Sequence, residues 1–336
     1  MAPRAPRRRR PREGARIIRR GRGLTKLLTD VASLVSGAGR ECSFPAALAA
    51  ATKAEYDWLM GASGAAFDVT IDLVAFDPLA ATPRDQETLA LAARAAGVRL
   101  DDVPPPYDED MRALVGSRIR EAIDDTLPPL IRGAIGPPDY GLIVGYIDDD
   151  RYLVRTIFDK GDKPSEIGWP DFIDADHGGP VFLDRAQVPE RSVQARDGLD
   201  AGIGRAASSE AALAGWAAAL RDDVRWADTK HAGTAAFADH AMRVVFADKR
   251  RAAGRFLRGL RTLFTTPGGD LLRAAESYGY VVDGLDKVGT KPFDASVAMR
   301  FLDPGHRRGI AKALEAALGH EKEAHDALRA ARATIR

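Results

Sequence analysis

Asparagine is absent from this 336-residue chain, glutamine occurs only at positions 86, 187 and 194, and cysteine occurs only once, as Cys42. The single cysteine excludes an internal disulfide framework and a cysteine-rich zinc site. The absence of asparagine excludes any mechanism that needs an asparagine side chain. No apolar run is as long as the roughly 18 residues of a membrane helix, so we expect no membrane span. The cysteine usage fits a reducing compartment and no convincing export sequence is present, so we expect a cytoplasmic protein.

Positive charge is concentrated at the N-terminus. Residues 1–23 carry ten arginines and one glutamate, a net charge of +9. The whole chain has a net charge of +1, which leaves −8 for the other 313 residues. Such a block predicts a disordered, solvated arm. It could contact nucleic-acid phosphates, but no aromatic residue lies among the arginines and the body is acidic, so we favour an incidental tail.

The pattern of the chain changes near residue 195. Up to there, apolar periodicity predicts helices at 24–37, 43–53, 83–97 and 108–125. Short β-branched and aromatic runs predict strands near 67–74 and in PPLIRGAI, YGLIVGYID, RYLVRTIF and PVFLD, with a hairpin turn at 148–150. Beyond 195, long periodic segments predict helices at 208–221, 234–264, 270–285 and 305–334. We therefore predict an α+β domain with a small antiparallel sheet at 24–195 and an all-helical domain at 196–336.

Three stretches resemble the papain-like cysteine-hydrolase fold. They are CSFPAALAAA at 42–51, YDWLMGASGAAF at 56–67 and IGPPDYGLIVGY at 135–146. The pattern is most similar to the bacterial group of the butirosin-biosynthesis acyltransferase N-terminal domain and, more distantly, to the double-glycine leader peptidases. The resemblance implies a papain-like α+β domain with N-terminal helices, and it implies that Cys42 is the nucleophile.

Cysteine chemistry of this kind requires a thiolate, a base that takes the thiol proton and a group that orients the base. A cysteine at a helix N-terminus has a lowered pKa, which falls from about 8.5 to roughly 3.5–7.5 in reactive cases. Cys42 precedes a predicted helix and has this position. The resemblance also implies that the Cys42 amide and an upstream side chain hold the oxyanion.

The chain departs from the pattern of this group at the base. The expected histidine lies six residues before Gly145, where this chain has Asp139, and the usual upstream glutamine is missing. An aspartate can act as the base only if burial raises its pKa strongly. His177, in DADHGGPVFLD, is a possible replacement that Asp139, Asp174 or Asp176 could orient. The alternative is that His177 is an exposed turn residue, and we favour that interpretation.

The matching stretches and their surroundings supply candidate substrate-binding residues, which are Arg40, Ser63, Gly64, Tyr140, Tyr146 and Trp169. Arg40 could help to hold a thiolate, although Glu41 opposes it. The glycines around Ser63 could line a pocket beside Cys42 or form a tight turn between packed elements. Trp169 could close the pocket, but core packing is the favoured interpretation.

The helical domain contains five histidines, at 231, 240, 306, 320 and 325. His320 and His325 are five residues apart, so they diverge around a helix, whereas Glu321 and His325 share a face. We predict salt-bridged surface histidines, no metal site and no cofactor.

Two functional hypotheses follow from these observations. The first is a cysteine-dependent acyl transferase or amide hydrolase acting on a small-molecule or peptidyl acyl substrate, with Cys42 attacking and His177 or Asp139 as its partner. The second is a catalytically degenerate papain-like protein that binds a ligand or partner. Neither requires a membrane or nucleic acid, and the sequence leaves a homodimer open.

Overall fold

The chain has a mixed α+β fold, which confirms the predicted class. A computed structural model describes residues 15–20, 23–34, 37, 39–159, 161, 163–169, 178–289 and 293–335. Side chains are described from Lys26 onward. In this part of the chain, no helix combines the length and the apolar character that crossing a bilayer requires.

Contacts between residues divide the chain into two compact units. The sheet unit takes in residues 1–35, as far as they are described, and Asp101–Leu183. The helical unit takes in residues 36–100 and 184–336, as far as they are described. These units do not coincide with consecutive domains at 24–195 and 196–336, because the first helices pack on the C-terminal ones.

The sheet is antiparallel, as predicted. Its strands are β1 Ala15–Arg20, β2 Gly23–Leu28, β3 Val98–Asp102, β4 Leu130–Arg132, β5 Tyr140–Tyr146, β6 Arg151–Arg155, β7 Ser165–Gly168 and β8 Pro180–Arg185. The order is β1-β2-β5-β4-β8-β3, and β6 pairs with both β5 and β7. Strand β5 is apolar almost throughout because it is nearly completely buried and paired along both edges.

Two N-terminal predictions differ from the observed structure. Residues 24–37 were predicted to be helical, but β2 runs from Gly23 to Leu28 and pairs with β1 and β5. Strand β1 occupies Ala15–Arg20, within the segment expected to be a disordered arm. Long-range pairing decides β2: Gly145 lies opposite Leu27, and a Cβ on Gly145 would lie 2.3 Å from the Lys26 carbonyl oxygen. The missing side chain allows this close approach.

The helical unit combines short helices of seven to ten residues with long ones of 21 to 32 residues. Its helices are α1 Ser43–Thr52, α2 Tyr56–Ala62, α3 Gln86–Ala95, α5 Arg191–Arg221, α6 Thr229–Leu260, α7 Gly268–Val288, α8 Ala295–Phe301 and α9 Pro304–Thr334, while α4 Glu109–Asp124 belongs to the sheet unit. Asp228 and Asp303 cap α6 and α9 by accepting hydrogen bonds from backbone N–H groups of the first turn. Helix α5 begins 17 residues before the predicted start at 208, and the Ser208 hydroxyl, which lies inside this helix, donates to Arg205 O.

The segment that follows α2 is not the strand that the sequence predicted. A strand was predicted near 67–74, but Ala65–Phe67 is a 3₁₀ turn and no strand follows it before Val98. The Val69 N–H donates to the Ser209 hydroxyl of α5 at 3.0 Å. This backbone donor is therefore satisfied by a side chain and not by the backbone of a neighbouring strand. Helices α2 and α5 approach closely here, because a Cβ on Gly198 would lie 2.1 Å from Gly61 O.

Candidate functional site

Cys42 lies at the N-cap of α1, as the sequence predicts. Its backbone is extended, and its carbonyl oxygen accepts the first helical hydrogen bond from Ala46 N at 3.1 Å. The side chain is completely buried. Cys42 therefore has the position of a helix-activated thiol but not the solvent access.

Tyr56 and Asp248 connect the start of α1 to α6. The Tyr56 hydroxyl accepts a hydrogen bond from Cys42 N at 3.3 Å and donates to Asp248 Oδ2 at 2.5 Å. The same carboxylate oxygen accepts from Glu41 N at 3.0 Å. The other oxygen, Asp248 Oδ1, is buried without a hydrogen-bond partner among the described residues. This cluster, Cys42 with Tyr56 and Asp248, is called the Cys42 cluster below.

Burial dominates the electrostatics of the Cys42 cluster. It raises the pKa of the Cys42 thiol to about 12, and the Asp248 and Glu41 carboxylates add to this increase. Lys249 and the Tyr56 hydroxyl act in the opposite direction but do not compensate. Burial also raises the pKa of Asp248 to about 6. The thiol is therefore neutral at physiological pH, whereas Asp248 changes its charge just below neutral pH.

Three consecutive charged residues of α6 organise the segment around the Cys42 cluster. Asp248 holds Tyr56 and the Glu41 amide, as described above. Lys249 Nζ lies 3.5 Å from both Asp68 O and Asp68 Oδ2. Arg250 donates to the carbonyl oxygens of Ala66 and Phe67. Helix α6 thereby fixes the start of α1, α2 and the turn after α2.

Sequence reasoning missed these three residues, although the pattern contains an indication of them. Consecutive helical positions are about 100° apart, so a run of four charges spans about 300° of the circumference. In FADKRRAAG such a run, from Asp248 to Arg251, interrupts an apolar periodicity, so at least one charge must point toward the core. Asp248, Lys249 and Arg250 are buried, whereas Arg251 is partly exposed.

Arg250 forms a buried ion pair at the centre of the helical unit. It donates to both carboxylate oxygens of Glu321 on α9, at 2.5 and 2.8 Å. The Glu321 and Arg250 side chains are both inaccessible to solvent. This geometry is the two-pronged pairing of a guanidinium with a carboxylate, and it connects α6 to α9.

Of the predicted substrate-binding residues, three belong to the helical unit. Ser63 is buried at the C-terminus of α2, and its hydroxyl donates to Leu59 O at 2.7 Å. Gly64 has a φ of 78°, and a Cβ there would lie 2.7 Å from Ala201 Cβ. Both residues therefore form a tight turn between packed elements, which is one of the two interpretations of the sequence. Arg40 is exposed.

The other predicted site residues lie outside the helical unit or outside the described residues. Asp139 forms the turn before β5, where its carbonyl oxygen accepts from Gly133 N. Tyr140 and Tyr146 begin and end β5, and burial raises the pKa of Tyr146. Because Asp139 belongs to the sheet unit and Cys42 to the helical unit, their pairing stays a prediction. His177, together with Asp174 and Asp176, lies outside the described residues.

Trp169 is packed within the sheet unit. Its ring centroid lies 5.7 Å from that of Tyr107 and 6.0 Å from that of Tyr152, and the Arg112 guanidinium lies over the ring at 5.4 Å. The side chain is almost fully buried. These contacts agree with the favoured interpretation of Trp169 as a core residue.

The prediction of surface histidines is wrong for two of the five. His325 and His240 are buried, and His325 Nδ1 lies 2.9 Å from Glu210 Oε1. Glu321 shares a helix face with His325, as the spacing predicts, but the carboxylate is bound by Arg250. Within the described ranges, no group of three or more histidine, cysteine, aspartate or glutamate side chains could hold a metal ion.

No protein-family model matches the sequence, and no curated protein matches it. The assignment of function therefore depends on the chain's own geometry.

Proposed function

We propose that this chain is a papain-like protein that has lost cysteine catalysis and serves as a ligand- or partner-binding accessory protein. The observation that supports this proposal is the state of Cys42. Its thiol is fully buried, and burial raises its pKa to about 12, well above the range of an activated cysteine. A nucleophile with this environment would be protonated and inaccessible to a substrate carbonyl.

The hydrogen bonding of the Cys42 backbone supports the same conclusion. In papain-like catalysis, the amide of the cysteine donates to the developing oxyanion. Here that amide donates to the Tyr56 hydroxyl at 3.3 Å, and the hydroxyl in turn is bound to Asp248. The donor that the transition state would use is therefore already engaged.

A second candidate function, the cysteine-dependent acyl transferase or amide hydrolase, is favoured by one observation. Asp248 has a pKa of about 6, which is the range in which a general base works at neutral pH. In this scheme the Cys42 thiol gives its proton to Tyr56, and Tyr56 gives its own proton to Asp248. The resulting thiolate attacks the acyl carbon and expels the leaving group, and Asp248 returns the proton to that group. Asp248 would then replace the missing histidine.

Alkylation of the single cysteine distinguishes the two functions. We would treat the native protein with iodoacetamide from pH 6 to 10 and follow the modification by intact-protein mass spectrometry. Non-catalytic binding predicts a rate far below that of the same protein in guanidinium chloride, with no inflection below about pH 8.5. Rapid labelling with an inflection between pH 5 and 7.5, together with acylation of Cys42 by a small thioester, would establish the acyl transferase instead.

A further inference from the structure

A groove between α3 and α5 lies within the helical unit and is separate from the Cys42 cluster. Its volume is about 510 Å³, within the range of roughly 300–1,000 Å³ that is usual for small-molecule sites. Leu91, Ala201 and Gly204 provide its less polar surface. Gly204 has no side chain, and a Cβ there would meet nothing within 4 Å, so the groove is open at this point.

Ion pairs border the groove at both ends. At one end, Arg205 of α5 reaches Glu87 of α3 at 3.1 Å. At the other end, Arg94 of α3 is paired with Asp197 of α5. The two helices are therefore antiparallel here. Glu87 and Arg94 are seven positions apart on α3, which corresponds to about 10 Å along the helix axis.

The two ends differ in charge. At the first end, Asp85 and Glu87 both pair with the guanidinium of Arg205, so these three side chains together carry a net charge of −1. Those carboxylate side chains are 53% and 72% exposed, against 19% for Arg205. A ligand that enters from solvent therefore meets acidic groups at this end.

The second end is neutral and presents an accessible guanidinium. Arg94 balances Asp197, and its side chain is 46% exposed. Asp200 is bound through both of its oxygens by Arg332, at 2.7 and 2.9 Å. Arg94 is therefore the group at this end that can donate to an anion.

We propose that this groove binds a small linear zwitterion, with its ammonium group at Glu87 and its carboxylate at Arg94. The aliphatic middle of the ligand lies on Leu91 and Ala201. An ω-amino acid of about six carbons has this length and this distribution of charge. The inference depends on the proposed binding function and assigns to it a site and a class of ligand.

Binding of 6-aminohexanoate to the full chain, measured by isothermal titration calorimetry at low salt, tests this proposal. Hexylamine and hexanoate have the same chain length but a single charge each. We expect both to bind at least tenfold more weakly than the zwitterion, because each leaves one end of the groove without a partner. Absence of 6-aminohexanoate binding, or equal binding of either analogue, would overturn the proposal.

Two glycine variants locate the binding site. Gly204→Phe fills the groove and should abolish binding of 6-aminohexanoate. Gly309→Phe, at an exposed position of α9 that also has nothing within 4 Å of a Cβ, is the matched control and should bind like the wild type.

Arg94→Gln should weaken binding of the zwitterion at least fivefold and should not weaken binding of hexylamine, because the loss of Arg94 removes the partner of the carboxylate but no partner of the ammonium group. Unchanged zwitterion binding in Gly204→Phe would show that the groove is not the site.

The groove and the Cys42 proposal can fail separately. Alkylation of Cys42 reports on the thiol alone, and the groove variants do not touch the Cys42 cluster. A reactive Cys42 would overturn the proposed function. If Cys42 is inert and the groove does not bind 6-aminohexanoate, only the present inference is overturned.

Discussion

The Tyr56 hydroxyl donates to Asp248 Oδ2 at 2.5 Å while it accepts from the amide of Cys42. This contact joins α2 to α6 across 192 residues of sequence. It fixes the surroundings of the only cysteine, and it leaves the other oxygen of a buried carboxylate without a described partner. A protein that keeps such a group gives up stability, and groups of this kind are concentrated at functional sites.

Replacement of Asp248 by asparagine should remove a pH dependence of folding. Burial raises the folded-state pKa of Asp248 from 3.8 to about 6, so the fold prefers the protonated form. The stability that this group contributes is complete below about pH 4 and is lost as the pH rises through 6. A shift of about two units corresponds to at most about 3 kcal/mol. Asp248→Asn should therefore be more stable than the wild type at pH 8, by about 1–3 kcal/mol.

Urea unfolding at pH 4.5 and pH 8 provides this measurement. Asparagine can still accept hydrogen bonds from Tyr56 and Glu41 N through its single carbonyl oxygen. Asp283→Asn, at an exposed position of α7, serves as the control and should change the free energy of unfolding little at either pH. If the Asp248→Asn variant loses as much stability between pH 4.5 and pH 8 as the wild type does, Asp248 is not the source of the pH dependence.

Replacement of Tyr56 by phenylalanine should destabilise the protein. It removes the group that satisfies the buried Cys42 amide and one partner of Asp248. Loss of a partner in a buried network costs about 1–3 kcal/mol. Guanidinium unfolding at pH 7 measures this loss. Tyr280→Phe, where the ring is exposed, should remain within about 0.5 kcal/mol of the wild type, and an equal effect at both tyrosines would refute the assignment.

The Arg250–Glu321 pair predicts strong coupling between α6 and α9. Removal of one partner leaves an uncompensated charge in the core, so Arg250→Met alone should cost about 3–5 kcal/mol. The double variant Arg250→Met with Glu321→Leu should lose much less than the sum of the two single variants. The exposed pair Arg221–Glu315 is the control, and its disruption should cost less than about 1 kcal/mol. If the losses in the free energy of unfolding of the two single variants add up to the loss of the double variant, Arg250 and Glu321 are not coupled.

Two glycines of α5 should respond in opposite ways to replacement by alanine. A Cβ on Gly198 would lie 2.1 Å from Gly61 O, so Gly198→Ala must separate α5 from α2 and should cost about 1–3 kcal/mol. A Cβ on Gly204 meets nothing, so Gly204→Ala should gain up to about 1 kcal/mol from helix propensity. Thermal unfolding of both variants tests this, and a stabilised Gly198→Ala would show that the helices do not approach so closely.

The sequence predicts much of the secondary structure where local chemistry decides it. Helix α3 follows Asp85 and ends before Gly97, close to the predicted 83–97, and α4 occupies most of 108–125. The β5–β6 hairpin follows from two apolar runs around a turn of three aspartates. Segment 24–37 was predicted wrongly because Leu24, Leu27 and Leu28 fit a helical face, whereas the observed structure is decided by pairing with a strand more than 110 residues away.

The candidate site was predictable only in part. The position of Cys42 at a helix start follows from the sequence, because the apolar, alanine-rich run after it favours a helix with Pro45 in its first turn. Its partners do not follow from the sequence, because Tyr56 and Asp248 approach Cys42 only after α6 has packed on α2. The sequence indicated Asp139 or His177 as the base. Among the described residues, the carboxylate that acts on Cys42 and has a pKa raised by burial is Asp248.

By itself, the sequence determined that this protein has an α+β fold with long C-terminal helices, one cysteine at a helix N-terminus, no asparagine and no disulfide. These features depend on residue identity and on local periodicity. Only the tertiary structure decided that the cysteine is buried and neutral, that residues 36–100 join the C-terminal helices, and that three charges of α6 point inward. The reason is that burial and partner choice depend on which helices pack together, and that packing is set by contacts between residues far apart in the chain.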